Sequence, residues 1–288
     1  MDRKIMFCEK LVGPVALGAS KTLGSNSILL LENTRFYEGE EKNDTHFSKD
    51  LSLIGDIFCN DALSVCHRAH ASTVGVTKFL PSFAGSHILE EIEALELCLT
   101  RPQKPVTAII GGSKVSTKIA MLKNLVRKVD NIIIGGGMAN TFLLANGYDI
   151  GKSISETNLI PIAQEIMEKA EVFGCKIHLP KDLITSTSLD EVTDIKCMNV
   201  EQCPSNEMIF DCGPSSIEHY SEVISGSRTV VWNGPLGVFE VKPFENATKK
   251  LGQFITHQTS MNKMTSIAGG GDTVAALNLF GLQNNISH

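Results

Sequence analysis

The sequence has little of what marks membrane, secreted or nucleic-acid-binding proteins. Aromatic residues make up 6% of the 288 residues, and there is a single Trp. No apolar run reaches the roughly 18 residues of a membrane span, and the first ten residues have no apolar signal core. Lys and Arg number 26 against 32 Asp and Glu, giving a net charge of −6. This mild acidity argues against nucleic acid or an anionic membrane as the main partner.

The cysteines also lack any pattern of a metal or disulfide framework. There are eight, none forms a C-x-x-C pair, and no His lies at zinc-finger spacing from them. We therefore expect reduced, mostly buried thiols in a cytoplasmic protein.

What the sequence does have is a repeated strand-glycine-helix pattern after residue 105. Short runs rich in β-branched residues end in glycine and are followed by segments with apolar residues at helical spacing. These runs are 106–110, 131–134, 208–211, 229–232 and 266–268, and a sixth, 176–179, ends in Pro180. The pattern predicts an α/β fold with a doubly wound parallel sheet that is covered on both faces.

The five glycine-bearing turns are predicted to share one edge of this sheet, the edge at which open α/β folds bind ligands. Glycine lets the backbone approach a ligand closely, and the helix N-termini at this edge favour anions. We therefore expect a ligand that carries phosphate. The alternative is that these glycines only form tight turns.

The first third of the chain reads differently. Two strands are predicted, at 27–31 and 56–59, with a charged loop at 38–44 and a short helix at 46–53. Two strands are too few for a self-standing α/β domain. A helix at 83–99 has the length to join two lobes.

Two lysines mark the first glycine turn. Lys114 and Lys118 follow Gly111-Gly112 and are four residues apart, which predicts that both lie on one face of a new helix. Cations at a helix N-terminus oppose its dipole unless an anion is present, so this pair favours phosphate over a solvated surface. The segment is not a Walker A loop.

The last glycine turn carries a candidate metal ligand. Gly269, Gly270 and Gly271 offer backbone N–H groups, and Asp272 and Thr273 follow them. A carboxylate beside phosphate oxygens suits Mg²⁺, although an N-cap role for Asp272 is the simpler alternative. Glu240 is a candidate acceptor for ribose hydroxyls, or else an ordinary surface acid.

Two arginines follow strand ends in the first third. Arg35 and Arg68 are placed for fork-like recognition of carboxylate or phosphate, the alternative being solvated surface residues.

Together these motifs closely resemble the phosphoglycerate kinase family. The matching segments lie in family order along nearly the whole chain, and they are LENTRF at 31–36, HRAHAS at 67–72, GGSKVSTK at 111–118, GGGMANT at 135–141, WNGPLGVFE at 232–240 and GGGDT at 269–273. The resemblance implies two α/β lobes, with a partial phosphoglycerate-binding lobe at 1–82, an interlobe helix at 83–100 and a nucleotide-binding lobe at 101–288. It also implies reversible phosphoryl transfer between 1,3-bisphosphoglycerate and ADP, giving 3-phosphoglycerate and ATP in glycolysis, by a cytoplasmic monomer that uses Mg²⁺.

The resemblance implies these roles residue by residue. Arg35 and Arg68 would bind the phosphoglycerate, and Lys114 would stabilise the transferring phosphoryl group. The nucleotide would be bound by Lys118, Glu240, Gly270, Gly271, Asp272 and Thr273, with Asp272 also on Mg²⁺.

The chain also departs from the family pattern. It lacks two phosphoglycerate-binding segments typical of the family's N-terminal lobe and the glycine-rich segment that follows the last helix. The run 62–66, ALSVC, replaces the family's AFGTA before His67. We therefore expect an incomplete N-terminal lobe with exposed apolar strand edges, and weak or no turnover with Mg-nucleotide binding retained.

Other functions remain open at this point. One is a Mg-nucleotide-binding remnant without catalysis, and another is an interaction-only role. A Rossmann dehydrogenase needs G-x-G-x-x-G in its first βαβ unit, and the segment at 135–140 lacks that pattern.

Overall fold

The computed structural model describes residues 4–99, 102–189 and 194–288. It divides into two compact units, Met1–Glu93 and Ala94–His288, and the division falls inside helix α4 (Ser86–Leu99). This helix begins three residues later than the predicted one because Phe83 belongs to a strand. The predicted domain boundary at residues 100 and 101 lies outside the described residues. Within the described ranges, no helix is long and apolar enough to cross a membrane.

The N-terminal unit has four described strands, so the prediction of two was incomplete. They form two separate parallel pairs, β1 with β2 and β3 with β4. Both missed strands are short and pair with segments about 20 residues away, which local patterns do not reveal. The segment predicted as a charged loop contains helix α2. The bounds are β1 Lys4–Cys8, α1 Pro14–Lys21, β2 Ser27–Leu31, α2 Glu38–Glu41, α3 Thr45–Ser52, β3 Phe58–Asn60 and β4 Ser82–Ala84.

One face of the β1–β2 pair is apolar and exposed. Ile5 is in register with Ile28, and Phe7 with Leu30, so the four side chains share a face. Their exposed fractions are 66%, 41%, 57% and 57% in that order. Parallel sheets are normally covered on both faces, whereas about half of the surface of these four side chains is exposed among the described residues.

The C-terminal unit is built on a five-stranded parallel sheet with the order β12-β11-β5-β6-β7. This confirms the predicted α/β fold. The strands are β5 Val106–Ile110, β6 Asn131–Ile134, β7 Lys176–His178, β11 Thr229–Asn233 and β12 Thr265–Ala268. The helices are α5 Ile119–Leu125, α6 Gly137–Ala145, α7 Ile160–Phe173, α8 Pro214–Ser225, α9 Asn246–Ser260 and α10 Gly271–Leu279.

Both faces of this sheet are covered, as the continuous apolar strands predicted. Successive residues of β5 point to different cores: Ala108 and Ile110 pack with residues of α5, α6 and α7. Ile109 packs instead with residues of α8, α9 and α10. The sheet is therefore doubly wound, and its strand-to-helix turns lie along one edge.

One predicted strand belongs to a different sheet. β10 (Met208–Cys212) pairs antiparallel with β8 (Asp182–Ser186), which also pairs with β9 (Lys196–Asn199). The expectation of five glycine turns on one parallel edge was therefore wrong, and four remain there. An apolar run shows that a strand is buried, but it does not show which strand it pairs with.

Candidate functional site

The site lies where the strand order of the parallel sheet reverses. From β5 the chain continues to β6 on one side, whereas β11 and β12 lie on the other side, so the loops after β5 and β11 border a crevice. They touch directly, since Gly111 N donates to the Asn233 carbonyl at 3.0 Å. A Cβ at Gly111 would lie 1.9 Å from the Pro235 carbonyl oxygen. Only glycine permits this approach.

Lys118 joins these two loops. Its Nζ donates to the Gly111 carbonyl at 2.6 Å and to the Asn233 carbonyl at 2.8 Å. Burial lowers the pKa of Lys118, and the nearby Asp272 carboxylate opposes this shift. Two neutral carbonyls leave the cation without a full countercharge, so Lys118 is suited to bind an anion in the crevice.

Lys114 is placed differently from the prediction. Helix α5 begins at Ile119 with Lys118 as its N-cap, so the two lysines do not share a helix face. Lys114 is exposed in the loop that precedes the helix. Ser116 holds this loop by donating to Glu156 from its N–H at 2.9 Å and from its hydroxyl at 2.6 Å. The hydroxyl bond is the main cause of the lowered pKa of Glu156.

The last glycine turn connects β12 to α10. Gly270 is the N-cap, with φ of +92°, and Asp272 lies exposed in the first helical turn. The alternative of Asp272 as N-cap is therefore wrong. Thr273 is buried, and its hydroxyl accepts a 2.7 Å hydrogen bond from Gly234 N, which ties this turn to the loop after β11.

A cavity of about 360 Å³ opens at this edge. Glu240 and Asp272 both line it, as do glycines of the turns after β5 and β6. Its lining includes Gly112, Ser113, Gly136, Gly137, Asn140, Ile154, Asp211, Pro235, Leu236 and Phe239. The structure thus brings Glu240 and Asp272, far apart in sequence, to one cavity beside the crevice.

The donor set fits magnesium bound together with phosphate. Within the described residues, the Asp272 carboxylate has no hydrogen-bond partner, and no cluster of three or more metal-ligating side chains occurs. Mg²⁺ is commonly held by one or two carboxylates plus phosphate oxygens and water. Asp272 at the N-terminus of α10 therefore suits a cation that arrives with a nucleotide.

Arg35 and Arg68 both lie in the N-terminal unit. Arg35 is exposed in the 3₁₀ turn Thr34–Phe36, and Arg68 follows the 3₁₀ turn Leu63–Val65. Neither guanidinium has an ion pair or hydrogen bond to another described residue. Both are thus free to bind an anion, and their binding of phosphoglycerate stays a prediction.

Sequence reasoning missed two carboxylates near this edge. One is Glu156, which holds the Lys114 loop. The other is Asp211 of β10, which lines the cavity, is 2% exposed and accepts hydrogen bonds from the N–H groups of Ala247 and Cys212, both at 3.0 Å. Burial raises the pKa of Asp211 to about 8. Each has a hydrogen-bond partner about 35 to 40 residues away, and no local pattern marks either carboxylate.

Comparison with known proteins gives a family match along the whole chain. The sequence profile of the family described as phosphoglycerate kinase matches residues 1–288. The phosphoglycerate kinase of Ruegeria sp. (strain TM1040) is 48% identical over 284 residues, covering 99% of this chain and 72% of the relative. That of Brucella melitensis biotype 1 is 47% identical over 288 residues, covering 100% of this chain and 73% of the relative.

Solved structures agree with these relatives. The phosphoglycerate kinase of Coxiella burnetii, at 41% identity, superposes with a TM-score of 0.85 over 99% of this chain and 70% of that structure. The enzyme of Pyrococcus horikoshii OT3, at 28% identity, also has a TM-score of 0.85, over 99% and 72%. The crevice, the glycine turns and these matches agree, and the chain belongs to the phosphoglycerate kinase family.

Proposed function

We propose that this chain transfers a phosphoryl group reversibly between 1,3-bisphosphoglycerate and ADP, giving 3-phosphoglycerate and ATP in glycolysis. The observation that carries the proposal is the crevice at the switch point of the parallel sheet. There Lys118 bridges two loops through their carbonyls, beside the cavity that Asp272 and Glu240 line. The family match along residues 1–288 supports the same reaction.

Residues 101–288, which lie within the C-terminal unit, are the proposed nucleotide lobe. Glu240 would accept hydrogen bonds from the ribose hydroxyls at the cavity rim. Lys118 and the N–H groups of Gly270 and Gly271 would bind phosphate oxygens, helped by the dipole of α10. Thr273 supports this turn through Gly234, and Asp272 would hold Mg²⁺.

Phosphoryl transfer needs positioning and charge neutralisation rather than a general base. A carboxylate oxygen of 3-phosphoglycerate attacks the γ-phosphorus, the bond to the β–γ bridging oxygen breaks, and ADP leaves with the electron pair. The attacking carboxylate is already ionised, so no proton has to be removed. Lys114, exposed in a loop that Glu156 holds through Ser116, would stabilise the charge on the transferring group. Magnesium, when bound, neutralises charge on the nucleotide phosphates.

Residues 1–82, which lie within the N-terminal unit, are the proposed phosphoglycerate lobe, and residues 83–100 are the proposed connecting helix. Arg35 and Arg68 lie in the segments after β2 and β3, and neither guanidinium is paired with another described residue. A guanidinium fork matches carboxylate and phosphate geometry.

A coupled assay tests the reaction on the purified chain with saturating MgATP and 3-phosphoglycerate. We expect measurable turnover that K114A reduces by roughly 100-fold, in the range found on removing one transition-state donor. The exposed Lys152, replaced in K152A, is the matched control and should leave the rate unchanged. An unchanged rate in K114A would contradict the role proposed for Lys114.

The alternative is Mg-nucleotide binding without catalysis, which the family match does not favour. Calorimetry with MgADP separates the two: binding without any turnover would support the alternative, and the absence of binding would contradict both.

The remaining assignments are a monomeric state and a cytoplasmic location. The seven cysteines with described side chains are all free thiols, which supports a reducing compartment. Sedimentation at micromolar concentration tests the monomer.

A further inference from the structure

The N-terminal unit contains a buried carboxylate that the proposed reaction does not use. Glu40 belongs to α2 and is 2% exposed. Burying a carboxylate costs free energy unless hydrogen bonds or a cation compensate. The partners of Glu40 therefore indicate which segments it holds together.

Those partners lie on the segment that carries Arg68. Glu40 Oε2 accepts a hydrogen bond from Ser72 N at 3.0 Å, and Oε1 accepts one from the Ser72 hydroxyl at 2.5 Å. His70 Nδ1 lies 3.7 Å from Oε1. One carboxylate thus contacts two residues of a segment that is 30 or more positions away in sequence.

From Ser72 the constraint continues to Arg68 itself. The Thr73 hydroxyl donates a hydrogen bond to the Arg68 carbonyl at 2.7 Å. The oxygen of this hydroxyl also accepts a hydrogen bond from His70 N at 3.0 Å. The turn Ala71–Gly75, a π-helical turn, is also pressed against α3, because a Cβ at Gly75 would lie 2.0 Å from the Ser48 hydroxyl. π-turns are often found at functional sites.

On its other side Glu40 is continuous with the Arg35 turn. Glu40 N donates to the Tyr37 carbonyl at 3.0 Å, and Tyr37 N donates to the Thr34 carbonyl at 3.1 Å. The 3₁₀ turn that carries Arg35 and helix α2 are therefore one hydrogen-bonded stretch. Glu40 joins this stretch to the one that carries Arg68.

We infer that Glu40 is a positioning residue that fixes Arg35 and Arg68 relative to each other for binding one phosphoglycerate. The inference rests on the proposed function, since it assigns both arginines to the same ligand. Fork recognition is sensitive to geometry, because misplacement of a binding group by about 1 Å can cost up to 100-fold.

The test compares E40Q with E41Q in the full chain. Glu41 is the exposed neighbour on the same helix and serves as the matched control. We expect E40Q, which keeps the size of the side chain but replaces one acceptor oxygen by an amide, to raise the Kd and KM for 3-phosphoglycerate by roughly 10-fold or more. The Kd and KM for the Mg-nucleotide should stay within about twofold, and E41Q should match the unaltered chain.

A second variant approaches the same contact from its partner. S72A removes the hydroxyl donor, so the double variant E40Q/S72A should weaken phosphoglycerate binding no further than E40Q alone. Amide hydrogen exchange at Ser72 should accelerate in E40Q, whereas α3 amides should keep their protection, which shows that the unit is still folded.

The outcomes are distinct. Unchanged phosphoglycerate binding in a folded E40Q variant would overturn the inference while leaving the proposed function intact, as would an equal loss for both substrates. If the unaltered chain binds MgADP but no phosphoglycerate, the proposed function fails and the inference fails with it.

Discussion

The two units of the chain bury their apolar side chains to very different degrees. In the C-terminal unit, three clusters of buried residues fill both faces of the parallel sheet and the antiparallel sheet beside it. Among the described residues of the N-terminal unit, few apolar side chains are buried, and they are Cys8, Leu11, Ala16, Ala71, Val76 and Ile88. Most of the large exposed hydrophobic residues lie in this smaller unit.

The difference in apolar burial indicates which unit contributes more to the stability of the chain. Burial of apolar surface is the main favourable contribution to folding. Because most of the buried apolar side chains lie in the C-terminal unit, we expect this unit to contribute most of the stability. The N-terminal unit has a smaller apolar core, and polar contacts such as the Glu40–Ser72 pair join its segments. The four predictions that follow test this contrast, beginning with the largest effect.

A core phenylalanine should separate the units most clearly. F142A empties a fully buried position in α6 and should lower the free energy of unfolding of the C-terminal unit by about 3–5 kcal/mol. F36A, at a position 73% exposed, should change stability by no more than about 0.5 kcal/mol. Urea unfolding followed by far-UV circular dichroism measures both variants, and Trp232 fluorescence reports the C-terminal unit separately because the single Trp is buried there. Similar losses for the two variants would contradict the contrast.

The second prediction is that each unit binds a different ligand. K118A removes the cation that bridges Gly111 and Asn233, and we expect it to raise the Kd for MgADP by roughly 10-fold or more, as for loss of a charged hydrogen bond. R68A should do the same for 3-phosphoglycerate. Calorimetry measures the Kd for MgADP and for 3-phosphoglycerate on both variants. K118A is then the control for phosphoglycerate binding, and R68A is the control for MgADP binding. If either variant weakened both ligands alike, the assignment of one ligand to each unit would be wrong.

The buried Asp211 should give the C-terminal unit a pH dependence. Burial raises the pKa of Asp211 to about 8, against an ordinary value of 3.8. Between these values the folded state holds a proton that the unfolded state has lost, so this group's contribution to stability is lost as pH rises from about 4 to 8. D211N should flatten the slope of unfolding free energy against pH in that window.

The control for Asp211 is E168Q, at an exposed position on α7. It should keep the slope of the unaltered chain. A D211N variant with an unchanged slope would show that Asp211 is ionised throughout this range.

The exposed face of β1 and β2 should have the smallest effect on stability but a visible effect on association. Contiguous exposed apolar side chains on a sheet promote aggregation. F7T and L30T, which replace an apolar side chain by a polar, β-branched one, should reduce concentration-dependent light scattering and change the free energy of unfolding by about 0.5 kcal/mol or less. V172T, exposed on α7 of the other unit, is the comparison and should not alter scattering.

Local patterns predicted the C-terminal unit better than the N-terminal one. The prediction succeeded for β5, β6, β11 and β12 and their glycine turns. Each of these strands is a short run rich in β-branched residues that ends in glycine or just before it. β1 was missed, and its alternate residues are exposed, so no buried run marks it. The pairing of β10 with β8 was not predicted, since pairing depends on contacts between distant segments.

The candidate site divides in the same way. Lys118, Glu240 and Asp272 were proposed from motifs next to glycine turns, and the structure places the last two at one cavity. The prediction that Lys114 lies on a helix was wrong, since helix α5 begins only at Ile119. Lys114 lies in the preceding loop, where Ser116 is bound by Glu156, 40 residues away in sequence.

The α/β class, the four glycine turns of the parallel sheet and the membership of the kinase family could be read from the sequence alone. These follow from residue types at short spacing, where backbone freedom and hydrophobic periodicity act locally. The contacts of Glu40, Glu156 and Asp211, by contrast, became visible only in the folded structure. Each is a carboxylate whose role depends on partners some 30 to 40 residues away, and only the folded chain brings those partners within hydrogen-bonding distance.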